Sequence, residues 1–167
     1  HTYGNVCELK PIIDLSKKKK IAVLEDSAES FGSKYKNKNS GTFADFSTFS
    51  FQATKTITTG EGGMVVTKKS KNFINKLRSL RSHGVLKKRY LHVYPGHNFR
   101  LTNLQAAIGC AQLKKFNQIK KERKRIYNLY TNLFRNFNGV KIQKFNSNIS
   151  PVVWTFALVI NEKFFPK

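Results

Sequence analysis

Apolar and polar positions along this 167-residue chain follow two different periods, and the switches between them divide it into helices and strands. Residues 6–19 put Leu9, Ile12, Ile13 and Leu15 on one helical face and close on a run of lysines, where the negative end of the helix dipole favours cations. Residues 21–24 form a compact apolar run that ends in Glu25 and Asp26, the pattern of a buried strand with acids at its carboxyl end. Residues 46–51 alternate aromatic with small polar side chains as a second strand, and residues 63–67 form a third. A helix is predicted over 70–82, with Ser70 as its cap and Phe73, Ile74, Leu77 and Leu80 at helical spacing. Residues 84–99 are polar and aromatic without a period, as in a loop.

From Thr102 the pattern predicts one long helix, with Leu104, Ile108, Ala111, Phe116, Ile119, Ile126, Tyr130, Leu133 and Phe137 along one face and Gly139 ending it. Its first half, 104–113, is apolar and rich in small residues, so it is expected either inside the protein or against a partner. A last strand is predicted over 152–160, entered through Pro151, and residues 145–150 are where two domains could separate. Strands mixed with helices in this order predict an α/β fold, in which ligands bind outside the carboxyl ends of the strands.

Composition changes this picture in three ways. Two cysteines, Cys7 and Cys110, have no metal-ligand partner pattern, so neither a disulfide framework nor a metal site is expected, and a reducing cytoplasm fits. No apolar run reaches the roughly 18–20 residues that cross a bilayer, and no leader pattern opens the chain, which is expected to be soluble and free of membrane contact. Lysine and arginine total 31 against 9 acids, a formal net charge of +22. The basic clusters at 17–20, 68–71, 87–89 and 120–125 are dispersed and interleaved with asparagine, which points to solvated faces and no nucleic-acid partner. A basic polyanion-binding domain is the competing class. The chain opens at His1 and closes just after an apolar segment, and is expected to be part of a longer protein.

Among the many lysines, Lys55 stands between the apolar residues 46–51 and the turn Gly60-Glu61-Gly62-Gly63. A primary amine at the mouth of a strand, with part of its solvation removed, attacks carbonyls to form a Schiff base. Asp26 after one strand and Ser50 at the end of another complete a constellation suited to pyridoxal phosphate. A buried carboxylate holds the pyridine nitrogen in its protonated form, a hydroxyl donates to the phosphate, and glycines let the backbone turn sharply. Each part has a plain alternative: Asp26 as a strand-end cap, Lys55 as a surface lysine, residues 60–63 as a turn. The turn lacks the Gly-Lys-Ser/Thr ending of a nucleotide-triphosphate loop.

Longer blocks carry a resemblance. Residues 1–4 (His-Thr-Tyr-Gly), 24–30 (Leu-Glu-Asp-Ser-Ala-Glu-Ser), 41–45 (Gly-Thr-Phe-Ala-Asp), 49–63, 81–84 (Arg-Ser-His-Gly), 96–103 (Gly-His-Asn-Phe-Arg-Leu-Thr-Asn) and 105–109 (Gln-Ala-Ala-Ile-Gly) run nearly end to end. In this order they resemble the DegT/DnrJ/EryC1/StrS sugar aminotransferases, pyridoxal-phosphate enzymes of the aspartate-aminotransferase type. The resemblance implies a partial fold type I transferase. Residues 1–115 would be the carboxyl-terminal part of the large cofactor domain, and residues 116–167 a connecting helix and the start of the small domain.

The resemblance makes Lys55 the lysine that holds the cofactor, Asp26 the partner of the pyridine nitrogen, Ser50 a phosphate ligand and Glu29 a group beside the cofactor ring. Asn98 matches an asparagine that reaches the neighbouring subunit's site in a homodimer with shared active sites, and His97 and Arg100 lie in the same stretch as substrate candidates. His92 is either a substrate contact or a loop histidine without a role. Lysine at position 55 implies an aminotransferase, since a dehydratase branch carries histidine there. Residues 89–98 look most like the perosamine-forming subgroup. Its members move an amine, by family analogy from glutamate, to the C4 ketone of a GDP-linked 4-keto-6-deoxy sugar for polysaccharide or O-antigen synthesis.

Overall fold

The computed structural model describes residues 1–85 and 88–164; Leu86, Lys87 (one lysine of the cluster at 87–89) and residues 165–167 (the end of the second expected domain) lie outside the described residues. In chain order the elements are α1 (Leu9–Lys19), β1 (Leu24–Asp26), β2 (Lys34–Tyr35), β3 (Lys38–Asn39), β4 (Phe46–Ser50), β5 (Gly63–Thr67), α2 (Lys71–Leu80), α3 (Asn103–Lys114), α4 (Phe116–Phe134), β6 (Val140–Ile142), β7 (Ile149–Ser150) and β8 (Leu158–Ile160). The largest sheet has the order β1-β4-β5, with β1 parallel and β5 antiparallel to β4. The parallel pair sets Asp26 beside Thr48, so the carboxyl ends of β1 and β4 open on the same edge. The chain is mixed α/β, as expected.

The core lies where α1 meets a small second sheet. Val6, Leu9, Tyr35 and Ile149 form a buried cluster with Phe43 packed against it. β2 pairs with β3 through a hairpin whose turn residues Lys36 and Asn37 both have positive φ, the geometry of a tight two-residue turn. β2 also pairs with β7, so residues 145–150, a possible separator by sequence, instead contribute a strand to the sheet that carries Tyr35. Buried serines line this region: Ser30 Oγ donates to Ser40 Oγ (3.0 Å), and Ser33 Oγ donates to the Gly4 carbonyl (2.8 Å) while accepting the Val152 N–H (2.9 Å).

Several expectations hold. β5 spans the predicted 63–67, α1 ends in lysines 17–19, and Ser70 caps α2 by accepting the Phe73 N–H at 3.4 Å. The described residues among 84–99 form a loop, held by isolated bridges between Ser82 and Asn98 and between Val85 and His92.

Three expectations are corrected and one is narrowed. The run 21–24 is not a buried strand: Ile21 and Leu24 are exposed, β1 begins at Leu24, and its one buried residue is Glu25. The long helix is two helices, because Lys115 leaves the helical region (φ −97°, ψ 8°) and Phe116 turns inward to meet the Phe31 ring edge-on at 5.2 Å. The first half of that helix takes up only one of its two expected places: it is not inside the fold, and packing against a partner is left. α3 docks with Gln105, Gly109 and Gln112, one helical face of polar and small residues, and leaves Leu104, Ile108 and Leu113 exposed. A strand over 152–160 shrinks to β8, because upstream of it the backbone bonds to side chains: the Val152 N–H to Ser33 and the Trp154 carbonyl to Arg123.

Candidate functional site

β4 ends at Ser50, and the chain then makes a compact turn that returns to β5 at Gly63. The turn is closed by main-chain bonds: Phe51 N–H donates to the Gly62 carbonyl (2.8 Å), Thr59 N–H to the Phe51 carbonyl (2.9 Å) and Lys55 N–H to the Gln52 carbonyl (3.0 Å). Gly62 sits at φ +149°, and a Cβ there would come within 2.6 Å of both Leu101 Cδ1 and Thr59 Oγ1, so only glycine fits the return. α3 braces the turn from outside, Gln112 Oε1 accepting the Thr58 N–H (2.9 Å) and Gln105 Nε2 donating to the Glu61 carbonyl (3.2 Å). The amino end of α3 is itself fixed by a reciprocal capping box between Thr102 and Gln105.

This turn presents Lys55 with its side chain 15% exposed. The amine lies 3.7 Å from Glu29 Oε1 on one side and 3.9 Å from the centre of the Trp154 ring on the other. Both are groups that attract an ammonium electrostatically. Glu29 is oriented by the Tyr3 N–H, which donates to its Oε2 at 2.9 Å. Trp154 is held by three contacts: its Nε1–H donates to the Thr54 carbonyl (2.8 Å), its carbonyl accepts from Arg123 Nη1 (2.7 Å), and its ring stacks on Tyr3 at 6.0 Å. Arg123 Nη2 also donates to the Lys55 carbonyl at 3.2 Å, and burial lowers the Arg123 guanidinium from its ordinary value. Neither Trp154 nor Arg123 was picked out by sequence reasoning. Each is far from Lys55 along the chain, and Arg123 looks there like one more member of a solvated basic run.

Asp26 and Ser50 stand at the carboxyl ends of β1 and β4, and the turn that carries Lys55 leaves β4 there. Asp26 is exposed and not the buried carboxylate expected, because it ends its strand; its Oδ1 accepts the Ala28 N–H (3.0 Å) and the Thr48 hydroxyl (3.5 Å), which leaves Oδ2 without a hydrogen-bond partner among the described residues. Ser50 Oγ accepts the Gln52 N–H at 3.3 Å, which leaves its own O–H free to donate outward. A half-buried amine, an unpaired carboxylate oxygen and an available hydroxyl on one strand edge fit the three functional groups of pyridoxal phosphate.

The acid with the densest contacts is Glu25, 3% exposed, which sequence reasoning treated only as a strand-end carboxylate. It accepts from His1 Nε2 (2.8 Å), the Gly41 N–H (2.5 Å), the Phe43 N–H (3.1 Å) and Ser47 Oγ (3.4 Å). Glu25 thereby ties the chain start and the 41–43 turn to the strand that carries Asp26.

Asn98, His97, Arg100 and His92 lie elsewhere, on the exposed loop after α2. The His97 N–H donates to the Leu80 carbonyl (2.7 Å), its ring stacks on Phe99, and His92 Nδ1 is 2.6 Å from the His83 carbonyl. Among the described residues none of the four makes a hydrogen bond or ion pair with Lys55, Glu29, Asp26 or Ser50. His92 and Arg100 instead line a cavity with Arg78, Ser79, Arg81 and Arg89.

The sequence profile of the DegT/DnrJ/EryC1/StrS aminotransferase family matches residues 1–167. GDP-perosamine synthase from Escherichia coli is 40% identical over 161 residues, covering 95% of this chain and 43% of that protein. Among solved structures, Helicobacter pylori PseC, an aminotransferase involved in the biosynthesis of pseudoaminic acid, superimposes with a TM-score of 0.87 at 34% identity, over 98% of this chain and 45% of that one. GDP-4-keto-6-deoxymannose-3-dehydratase (ColD) with bound GDP-perosamine does so with a TM-score of 0.83 at 26% identity, over 96% of this chain and 45% of that one. The chain thus spans a little under half the length of these relatives, and the fold is a partial fold type I transferase, as expected.

Proposed function

Because the chain belongs to the DegT/DnrJ/EryC1/StrS aminotransferase family, we propose that the protein containing it is a pyridoxal-phosphate-dependent aminotransferase. It would move an amine, from glutamate, to the ketone of a nucleotide-linked 4-keto-6-deoxy sugar. The perosamine synthase relative supports a GDP-linked sugar and a role in polysaccharide or O-antigen synthesis. The observation that carries the reading is the Lys55 amine, partly withdrawn from water between Glu29 and Trp154 on the strand edge that also holds Asp26 and Ser50.

Bound pyridoxal phosphate supplies a carbonyl that condenses with amines and a ring that withdraws electrons from the adjoining carbon. Asp26, through its free Oδ2, would hold the proton of the ring nitrogen, and Ser50 would donate to the phosphate. Lys55 Nζ would take the α-proton of the amino donor as general base and give a proton back as general acid, then reverse this order with the sugar. Glu29 Oε1, at 3.7 Å, keeps Nζ at the site when it carries the proton. Among the described residues Asn98, His97, Arg100 and His92 make no hydrogen bond or ion pair with this centre, and we assign them to the site of a second copy in a homodimer with shared sites. Among the described residues no helix is long and apolar enough to cross a membrane, and we place the protein in the cytoplasm, where nucleotide sugars are made.

The test is the full-length protein incubated with glutamate and a GDP-linked 4-keto-6-deoxy sugar, with the products separated by mass. The expected product carries an amine at C4, and Lys55→Ala lowers its rate by about 10²–10⁴-fold. An unchanged rate in that variant would remove Lys55 from the chemistry, and loss of the C3 hydroxyl without amination would make the protein a dehydratase.

A further inference from the structure

We infer that Trp154 is a positioning residue for Lys55: its ring is the seat on which the lysine amine rests whenever that amine is not covalently engaged. This rests on the reading of Lys55 as the reacting lysine. Nζ stands 3.9 Å from the ring centre, within the range where the negative face of an indole holds an ammonium group. A surface lysine over a tryptophan would be unremarkable, but here the ring is locked to the lysine's own backbone. Its Nε1–H donates to the Thr54 carbonyl, immediately before Lys55, at 2.8 Å. Arg123 joins the Trp154 carbonyl (2.7 Å) to the Lys55 carbonyl (3.2 Å) with the two ends of one guanidinium group.

The ring and the Lys55 peptide therefore move as one unit, clamped on both flanking carbonyls, and Tyr3 backs the ring's other contacts by stacking at an interplanar angle of 17°. Across the amine, Glu29 Oε1 at 3.7 Å supplies the opposing charge, with its other oxygen tied to Tyr3. Four flexible methylenes would otherwise let the amine sample a wide volume. Held between a carboxylate and an aromatic face, it stays in one place on the strand edge while a donor amine or a sugar occupies the cofactor, and is returned to the same atom afterwards. Buried Val152 and Val153 anchor the segment from which Trp154 projects, which keeps the seat in place.

The experiment uses the full-length protein freed of cofactor, as wild type, Trp154→Leu and Trp154→Phe. In the first arm, limiting acetic anhydride labels amines and mass spectrometry compares Lys55 with exposed Lys18. Trp154→Leu is expected to raise labelling of Lys55 severalfold relative to Lys18, and Trp154→Phe, which keeps an aromatic face but loses the bond to the Thr54 carbonyl, to fall between wild type and Trp154→Leu. In the second arm, pyridoxal phosphate is added, imine absorbance is followed in time, and borohydride reduction with peptide mapping locates the modified lysine. Capture by Trp154→Leu is expected to be about tenfold slower or more, because a misplaced group loses its proximity advantage, with Trp154→Phe slowed by less.

A purely structural tryptophan would lower thermal stability and leave the Lys55-to-Lys18 ratio and the capture rate unmoved, which overturns the inference. If Trp154→Leu fails to fold, seen as equal labelling of all lysines, Arg123→Met releases the same clamp, and unchanged labelling and capture in that variant overturn the inference equally. Mapping of the reduced cofactor to another lysine in the wild type overturns the reading of Lys55 instead, and the labelling arm then decides the contact alone.

Discussion

Two stretches of this chain, residues 1–59 with 149–154 and residues 60–148, use side chains of similar chemistry to opposite ends. In the first, leucine, valine and isoleucine are buried beside serines and Glu25, and segments far apart in sequence are cross-tied by hydrogen bonds. In the second, Ser79 is the only buried side chain among the described residues, while Leu104, Leu129 and Leu133 stand more than half exposed. The Lys55 centre belongs to the first stretch, and the loop bearing His92, His97, Asn98 and Arg100 to the second. A reacting amine needs a fixed address, which only dense cross-ties provide. A surface meant to meet something else needs the opposite, apolar groups left uncovered.

The contrast can be broken most severely at Glu25. Glu25→Leu removes the acceptor for four donors and leaves His1 and two main-chain N–H groups without it, which is expected to destabilise the protein by about 3–5 kcal/mol. Denaturant unfolding of the full-length protein measures it, and a loss under about 1 kcal/mol would mean that the network is not a staple of the fold.

A matched pair of truncations sharpens the comparison next. Leu9→Ala, at a site 3% exposed in the cluster with Val6, Tyr35 and Ile149, is expected to cost about 2–4 kcal/mol. Leu104→Ala, at 80% exposure on α3, is expected to fall within about 0.5 kcal/mol of wild type in the same experiment at low protein concentration. Equal losses at both sites would show that the second stretch is buried in solution and the contrast is false.

The smallest effect is a pH dependence at the sheet's entrance. The Lys69 ammonium, hydrogen-bonded at 2.7 Å, holds the Asp45 carboxyl below its ordinary value, aided by the Val23 N–H at 3.0 Å. A carboxyl depressed in the folded state contributes stability at pH values above its unfolded value, and that contribution is lost as pH falls through the folded value. Asp45→Asn should therefore narrow the gap in thermal midpoint between neutral and acid pH. An identical gap in wild type and variant would show that the exposed pair contributes nothing.

Much of the site was legible in the sequence because its parts lie on short local signals. Lys55 sits between a strand pattern and a glycine turn, Asp26 ends an apolar run, Ser50 closes an alternating segment, and the parallel pairing of β1 and β4 sets the ends that carry Asp26 and Ser50 side by side, with the Lys55 turn leaving β4. Illegible were the residues whose placement depends on distant partners. Trp154 meets Thr54 and Arg123 meets Lys55 through contacts spanning 100 and 68 positions, and no local period announces either.

The same division runs through the fold. Periodicity found α2, β4 and β5, because their hydrogen bonds are local or join neighbouring strands. It failed at Lys115, where the pull of Phe116 toward Phe31 outweighs helical continuity, and at 152–160, where serine and arginine side chains take the backbone groups that a ladder would have paired. By itself, then, the sequence determined the class of fold and the family, and it singled out Lys55 as the lysine we propose reacts, since each is written in residue type and near spacing. Only the tertiary structure decided which acid is buried, which helix face docks, and what holds the lysine's amine. These depend on which distant groups satisfy one another once water has been excluded.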